Sequence, residues 1–160
     1  AQRFADQGKC DHNGEHMIFG QIFQLHKKDD SFKGAFKRNG TDSQMFSVSL
    51  AGEGSIDVGG PFREALTNVV MELETEALPL LIKTPNNRND HGSSRDCFVL
   101  NPASTTPTHS ELFVFLGYFL GFSIRSQSAM DWHFPPIFWK QLLGEEVTLN
   151  DLEGLDAYSW

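Results

Sequence analysis

The sequence predicts a single α+β domain that is predominantly helical and carries a small β element. Three observations lead there. Several segments place apolar residues at helical spacing behind clear start signals, two short runs carry strand signals, and a glycine-rich corner at 52–64 joins the two kinds.

Residues 1–14 read as a polar lead-in. A helix is expected from His16 to about Arg38, with Ile18, Ile22, Phe23 and Leu25 as a partial apolar stripe and Asn39-Gly40 as its stop. Phe46, Val48 and Leu50 then alternate with serines and an alanine, the period of a half-buried strand. After the corner, Pro61 suits the first turn of a helix, because a helix start leaves that amide unpaired anyway. This helix should run to about Glu76, with Phe62, Leu66, Val69, Val70 and Leu73 on one broad face. Residues 84–96, rich in Asn, Asp, Gly and Ser, read as a surface loop. Cys97–Leu100 is a short strand and a natural partner for Phe46–Leu50.

Thr108 and Glu111 form a capping box at the start of a central apolar helix. Within it, Gly117 and Gly121 are expected to let a neighbouring helix approach closely, while Phe113, Leu116, Phe119 and Leu120 fill the core. The apolar run Leu112–Ile124 falls short of the roughly 20 residues that cross a bilayer, so it reads as a buried helix. Pro135 and Pro136 open the next helix and Gly144 closes it. Asn150 and Glu153 cap a last helix that is interrupted by the end of the chain. That ending leaves Leu155, Tyr158 and Trp160 without cover, and the chain is expected to be a fragment.

The net charge is −8, and it is uneven. Residues 1–40 hold seven basic and five acidic side chains, whereas residues 41–160 hold six basic and sixteen acidic. An acidic body lacks the electrostatic term that drives nucleic-acid binding. Lys27, Lys28, Lys33, Lys37 and Arg38 read as a solvated helix face. Cys10 and Cys97 are too few for a disulfide framework, and the opening Ala1-Gln2-Arg3 carries no apolar leader, so a cytoplasmic setting is expected.

The corner itself excludes phosphate binding. It has acids, Glu53 and Asp57, among its glycines and no following Gly-Lys-Ser/Thr, and it fails the dinucleotide pattern. Gly59 and Gly60 are expected to hold left-handed backbone angles or to permit a close approach. Asp57, Arg63 and Glu64 are spaced to tie the corner to the helix that follows.

The order G-E-x-x-x-D-x-G-G-x-x-R-E, formed by Gly52, Glu53, Asp57, Gly59, Gly60, Arg63 and Glu64, resembles a signature in the amino-terminal lobe of HECT-type ubiquitin ligases. Ser55 stands where that signature usually has glycine. Further matches follow in order: Asn101-Pro102, the FxFLGxxxG run Phe113–Gly121, Phe138, Leu142-Leu143-Gly144, the V-T-L-x-D-L run Val147–Leu152, and Asp156. The segments Ile18–Gln21, Leu80–Asn86 and Arg95–Pro102 are most similar to the large HERC subgroup. The resemblance implies that residues 1–40 are a lead-in and first helix, and that residues 41–160 are a truncated large subdomain of the amino-terminal lobe. It implies a ligase that accepts ubiquitin from a conjugating enzyme as a cysteine thioester and passes it to a substrate lysine. In one branch of the family an aromatic residue at the position of Val58 contributes to a non-covalent ubiquitin surface, which makes Val58 a candidate for that contact.

The family's thioester cysteine belongs to a separate lobe and a Thr-Cys context, which neither Cys10 nor Cys97 matches. No catalytic residue, cofactor or metal site is therefore assigned, and the expected role is scaffold. Cys10, His12, Glu15 and His16 look superficially metal-like, but structural zinc usually takes four well-spaced ligands. They read as a polar lead-in, with a zinc-dependent module as the reading to be tested by metal analysis. A non-enzymatic helical interaction module is the other alternative.

Overall fold

The computed structural model describes residues 10–37, 46, 60–75, 77–128 and 130–159. Seven helices and one two-stranded sheet occur among them: α1 (Ile18–Lys28), α2 (Asp30–Lys37), α3 (Gly60–Leu73), β1 (Leu81–Lys83), α4 (Pro85–Asn89), β2 (Phe98–Leu100), α5 (Pro107–Ser126), α6 (Pro136–Leu143) and α7 (Leu149–Glu153). The architecture is α+β and mainly helical, as expected.

The core is aromatic and is organised around α5. Phe115 lies 5.3 Å from Phe19, 5.4 Å from both Phe23 and Phe36, and 5.2 Å from Phe119, measured between ring centroids. Phe19, Phe36, Phe62, Phe115 and Phe119 are all buried, with Leu73, Leu78, Leu80 and Leu112 filling the spaces between them. Each such ring contributes roughly 1.5–3 kcal/mol relative to leaving it in water. Phe46 packs its ring on Phe32 and Phe62. Residues 47–50, the rest of the expected first strand, lie outside the described residues.

The partner expected for the strand Cys97–Leu100, Phe46–Leu50, lies outside the described residues apart from Phe46. β2 pairs antiparallel with β1, in the register Leu81↔Leu100, Ile82↔Val99 and Lys83↔Phe98. The segment Leu81–Lys83 is followed directly by Thr84-Pro85, which starts α4, so the apparent loop contains a capped helical turn. Thr84 accepts a hydrogen bond from the Asn87 amide, and Pro85 occupies the first helical position.

The expected helix over 16–38 is two helices. Asp29 is extended (φ −121°, ψ 110°), and its carboxylate accepts from the amides of Ser31 (2.8 Å) and Phe32 (3.2 Å). It thereby ends α1 and caps α2. Arg38 lies outside the described residues. Two other caps sit two residues earlier than the sequence suggests. Thr106, not Thr108, caps α5 by accepting from the His109 amide, and Thr148 with Asp151 forms the capping box of α7 in place of Asn150 and Glu153. In both cases a threonine precedes the start, with proline at the first position in α5 and an acid at the third in α7. The last helix is complete, ending at Glu153 with Gly154 after it.

Glycines are needed where the sequence does not announce it. At Gly20 an added Cβ would fall 1.8 Å from the Gly14 carbonyl oxygen, and Gly14 itself has φ +69°. These two residues let the lead-in cross over the first turn of α1. By contrast, a Cβ at Gly117 meets nothing within 4 Å among the described residues, and at Gly121 it meets only the Arg125 guanidinium. Their expected role as a helix-packing notch is not seen among the described residues. Leu116, Phe119 and Leu120 are buried as expected, and Phe113 is half-buried.

Candidate functional site

Of the glycine corner, Gly60, Arg63 and Glu64 are described, while Gly52, Glu53, Asp57, Val58 and Gly59 lie outside the described residues. Gly60 is the first residue of α3, is exposed, and does not adopt positive φ. A Cβ there would meet nothing within 4 Å among the described residues. Arg63 and Glu64 point to solvent on the first turns of the helix.

The helix that leaves the corner and the turn after it each carry one acid inward. Glu72 is buried, and its carboxylate accepts from the Phe19 amide at 3.1 Å. Met17, the N-cap of α1, provides no side-chain cap. Glu72 therefore caps α1 across the core, serving an amide that the first turn leaves without an intrahelical partner. Burial pushes its carboxyl above the usual range, against the hydrogen bonds from Ile18 and Phe19. Two residues on, Glu74 receives His133 Nδ1 at 2.9 Å, and the His133 amide reaches the same carboxylate at 3.3 Å. The His133 carbonyl accepts from Phe98 N at 2.7 Å. This one histidine therefore joins the end of α3 to β2. The Glu74 hydrogen bond raises its pKa, opposed by burial and helped by Asp131 and Asp96. A cavity of about 250 Å³ lies beside the hairpin, with Glu74, Ile82, Lys83, Arg88 and Phe98 in its wall.

Asn86 is the most connected side chain of the hairpin connection. It is fully buried. Its amide nitrogen lies 2.9 Å from Ser93 O, 3.2 Å from Glu153 O and 3.1 Å from Gly154 O, and its carbonyl accepts from Ala157 N at 2.7 Å. Its own backbone amide donates to Leu155 O. The residues after α7 are thus latched to α4, and Leu155 is half-buried rather than uncovered. Tyr158 is exposed, and Trp160 lies outside the described residues. Sequence reasoning placed Asn86 on a polar surface loop. The Thr84-Pro85 start signal, the same pair that opens α5, was the clue to a structured turn.

Neither thiol is set up for nucleophilic attack. Cys97 is buried just before β2, and burial, then the Asp96 charge, pushes its thiol up. Cys10 is exposed, but desolvation and Asp11 likewise raise it. Reactive cysteines sit in electropositive settings that favour the thiolate. In the lead-in, Asp11 accepts from the amides of Glu15 (3.1 Å) and His16 (2.8 Å), which organises that turn. No group of three potential metal ligands occurs among the described residues. No helix among them is long and apolar enough to cross a membrane.

Comparison with known proteins gives these features a family. The model described as "HECT-domain (ubiquitin-transferase)" matches residues 67–159, from within α3 through the Asn86 latch. E3 ubiquitin-protein ligase HERC2 of Homo sapiens is 37% identical over 149 residues, which is 90% of this chain and 3% of that protein. E3 ubiquitin-protein ligase Smurf1 of Drosophila melanogaster is 31% identical over 130 residues (80% of this chain, 12% of that protein). E3 ubiquitin-protein ligase RSP5 of Chaetomium thermophilum is 30% identical over 141 residues (86% and 16%). The chain thus spans a small part of the length of the curated relatives it matches. With the family model covering more than half of the chain, this protein belongs to the HECT-domain family.

Proposed function

We propose that this chain serves as scaffold in a HECT-type ubiquitin ligase, one that takes ubiquitin from a conjugating enzyme as a cysteine thioester and delivers it to a substrate lysine. In the first step a ligase thiolate attacks the thioester carbonyl and the conjugating enzyme's thiol leaves. In the second, the lysine amine displaces the ligase thiol and an isopeptide bond forms. The observation that carries the scaffold assignment is the state of the two thiols. Desolvation and a neighbouring acid push both thiols up, which disfavours the thiolate and supports placing the nucleophile in another part of the ligase.

Residues 41–160 are read as part of the large subdomain of the amino-terminal lobe, and residues 1–40 as its lead-in and first helix. Val58 remains the candidate ubiquitin contact, and the corner residues Gly52 to Glu64 a structural joint. Ubiquitin, a conjugating enzyme and protein substrates are the partners of the whole ligase. A cytoplasmic setting accords with two free thiols. The relatives named as E3 ligases disfavour the alternative of a non-enzymatic helical module.

The test is to incubate this chain with activating enzyme, conjugating enzyme and ubiquitin and to run a non-reducing gel. No thiol-sensitive adduct is expected on this chain, and one is expected on an intact HECT domain carrying it. An adduct on this chain that Cys97→Ala abolishes would make Cys97 a nucleophile and overturn the scaffold assignment.

A further inference from the structure

The turn that follows α3 sets Glu74 beside two sets of cationic groups. One is engaged. His133 Nδ1 lies 2.9 Å and 3.0 Å from the two carboxylate oxygens, and the His133 amide reaches the first at 3.3 Å. The other set is open. Glu74 shares the cavity of about 250 Å³ beside the hairpin with Lys83 of β1 and Arg88 of α4, and neither makes an ion pair among the described residues. The rest of the wall is mostly apolar, with Pro79, Leu81, Ile82 and Phe98. Only 15% of the Glu74 side chain is exposed, so its carboxylate is costly to leave without a counter-charge.

We propose that Glu74 exchanges partners with the charge on His133: it holds His133 while the imidazole is cationic and crosses the cavity to Lys83 and Arg88 once it is neutral. A neutral imidazole still donates from Nδ1 but brings no charge, whereas lysine and arginine keep theirs across the range where histidine titrates. The other groups that face this pair do not take over. Asp131, 3.7 Å from His133 Nε2, and Asp96 before β2 add only negative charge, and Asp131 is 94% exposed. The neighbouring Cys97 thiol is pushed up by burial and by Asp96, so it stays neutral as His133 titrates. The Glu74 hydrogen bond raises His133 above its ordinary value near 6.5, so the exchange falls above that pH. Its consequence is conformational. His133 is held to the end of α3 by this carboxylate and to β2 by Phe98 N, which donates to His133 O at 2.7 Å. Exchange releases His133 from the end of α3 and ties that end to β1 and α4 instead. The ligase reading makes no use of this joint, and the proposal does not depend on it.

The experiment is an NMR pH titration of this chain, with amide hydrogen exchange measured at each pH and corrected for intrinsic base catalysis. The Lys83 Cε and Arg88 Nε signals should move with the midpoint of the His133 imidazole. Across that midpoint the protection of the Phe98 amide should fall about tenfold or more. In Lys83→Gln/Arg88→Gln, two exposed positions where folding should persist, His133 should still titrate and most of that fall should vanish, because Glu74 has no second partner. In His133→Gln the Lys83 and Arg88 signals should no longer respond over that range. The proposal is overturned by cation signals that ignore the His133 midpoint, or by an equal fall in Phe98 protection in the double variant. A Lys83 and Arg88 response that survives His133→Gln overturns it as well.

Discussion

At the scale of single residues, the informative side chains are polar ones placed inside. Asn86, itself fully buried, faces three backbone carbonyls with its amide and one amide with its carbonyl. An aspartate there would turn donors into acceptors against three oxygens, and an alanine would strand them. Asn86→Asp and Asn86→Ala should each cost about 2–4 kcal/mol by urea unfolding, because a buried polar group left without its partner loses its full desolvation energy. A shift within the few tenths typical of surface changes would show the latch to be dispensable. Glu72 makes a sharper contrast between charge and shape. Glutamine keeps the acceptor for the Phe19 amide and removes the buried charge, so Glu72→Gln should be neutral or stabilising at pH 7. Glu72→Ala should cost about 1–3 kcal/mol, since it strands that amide. None of this was readable in the sequence. A glutamate on a helix face or an asparagine in a polar run looks solvated until its neighbours from distant segments are known.

At the scale of elements, apolar periodicity was legible and end signals were legible only in part. The helices that contain Phe62, Leu66, Val69 and Leu73, or Leu112, Phe115 and Phe119, follow directly from their stripes. The start at Pro136 and the stop at Gly144 (φ +72°) follow from proline and glycine chemistry. The sheet pairing did not, because three-residue strands offer no register information and β1 is an apolar run next to a turn. The division at Asp29 was hidden for a different reason. Asp29-Asp30 sits inside a stretch whose composition suits a helix, and only the hydrogen bonds to Ser31 and Phe32 show that the carboxylate caps rather than faces solvent. Asp29→Ala removes that cap and favours a straight helix, which would pull Phe36 from its place against Phe115 and Phe119. A loss of about 1–2 kcal/mol is expected, above the usual effect of an exposed helix substitution. An unchanged unfolding midpoint would mean that core packing alone sets the turn.

For the whole molecule, stability should depend on pH from two sides, because two long-range ties rest on ionised groups of opposite sign. Asp151 accepts from Lys140, and from the Thr148 amide and hydroxyl, which hold its carboxyl down at about 2. A depressed carboxyl contributes stability that is complete above its unfolded value, near pH 4, and is lost as pH falls toward 2. The docking of α6 on α7 therefore weakens in acid. His133 works in the reverse sense. Its folded pKa is raised, chiefly by the Glu74 hydrogen bond, so its contribution is complete below the unfolded value near 6.5 and is lost as pH rises through the folded one. Since His133 joins α3 to the hairpin, the alkaline loss should be felt across the core. Urea unfolding across a pH series should show a maximum in midpoint between the two limbs. His133→Gln should flatten the alkaline limb and leave the acid one, while Asp151→Asn should do the opposite. The two variants test separate ties, because one acts between α3 and β2 and the other between α6 and α7. An alkaline limb that survives His133→Gln would assign it to another group, with the buried Cys97 thiol, also raised, as the next to replace.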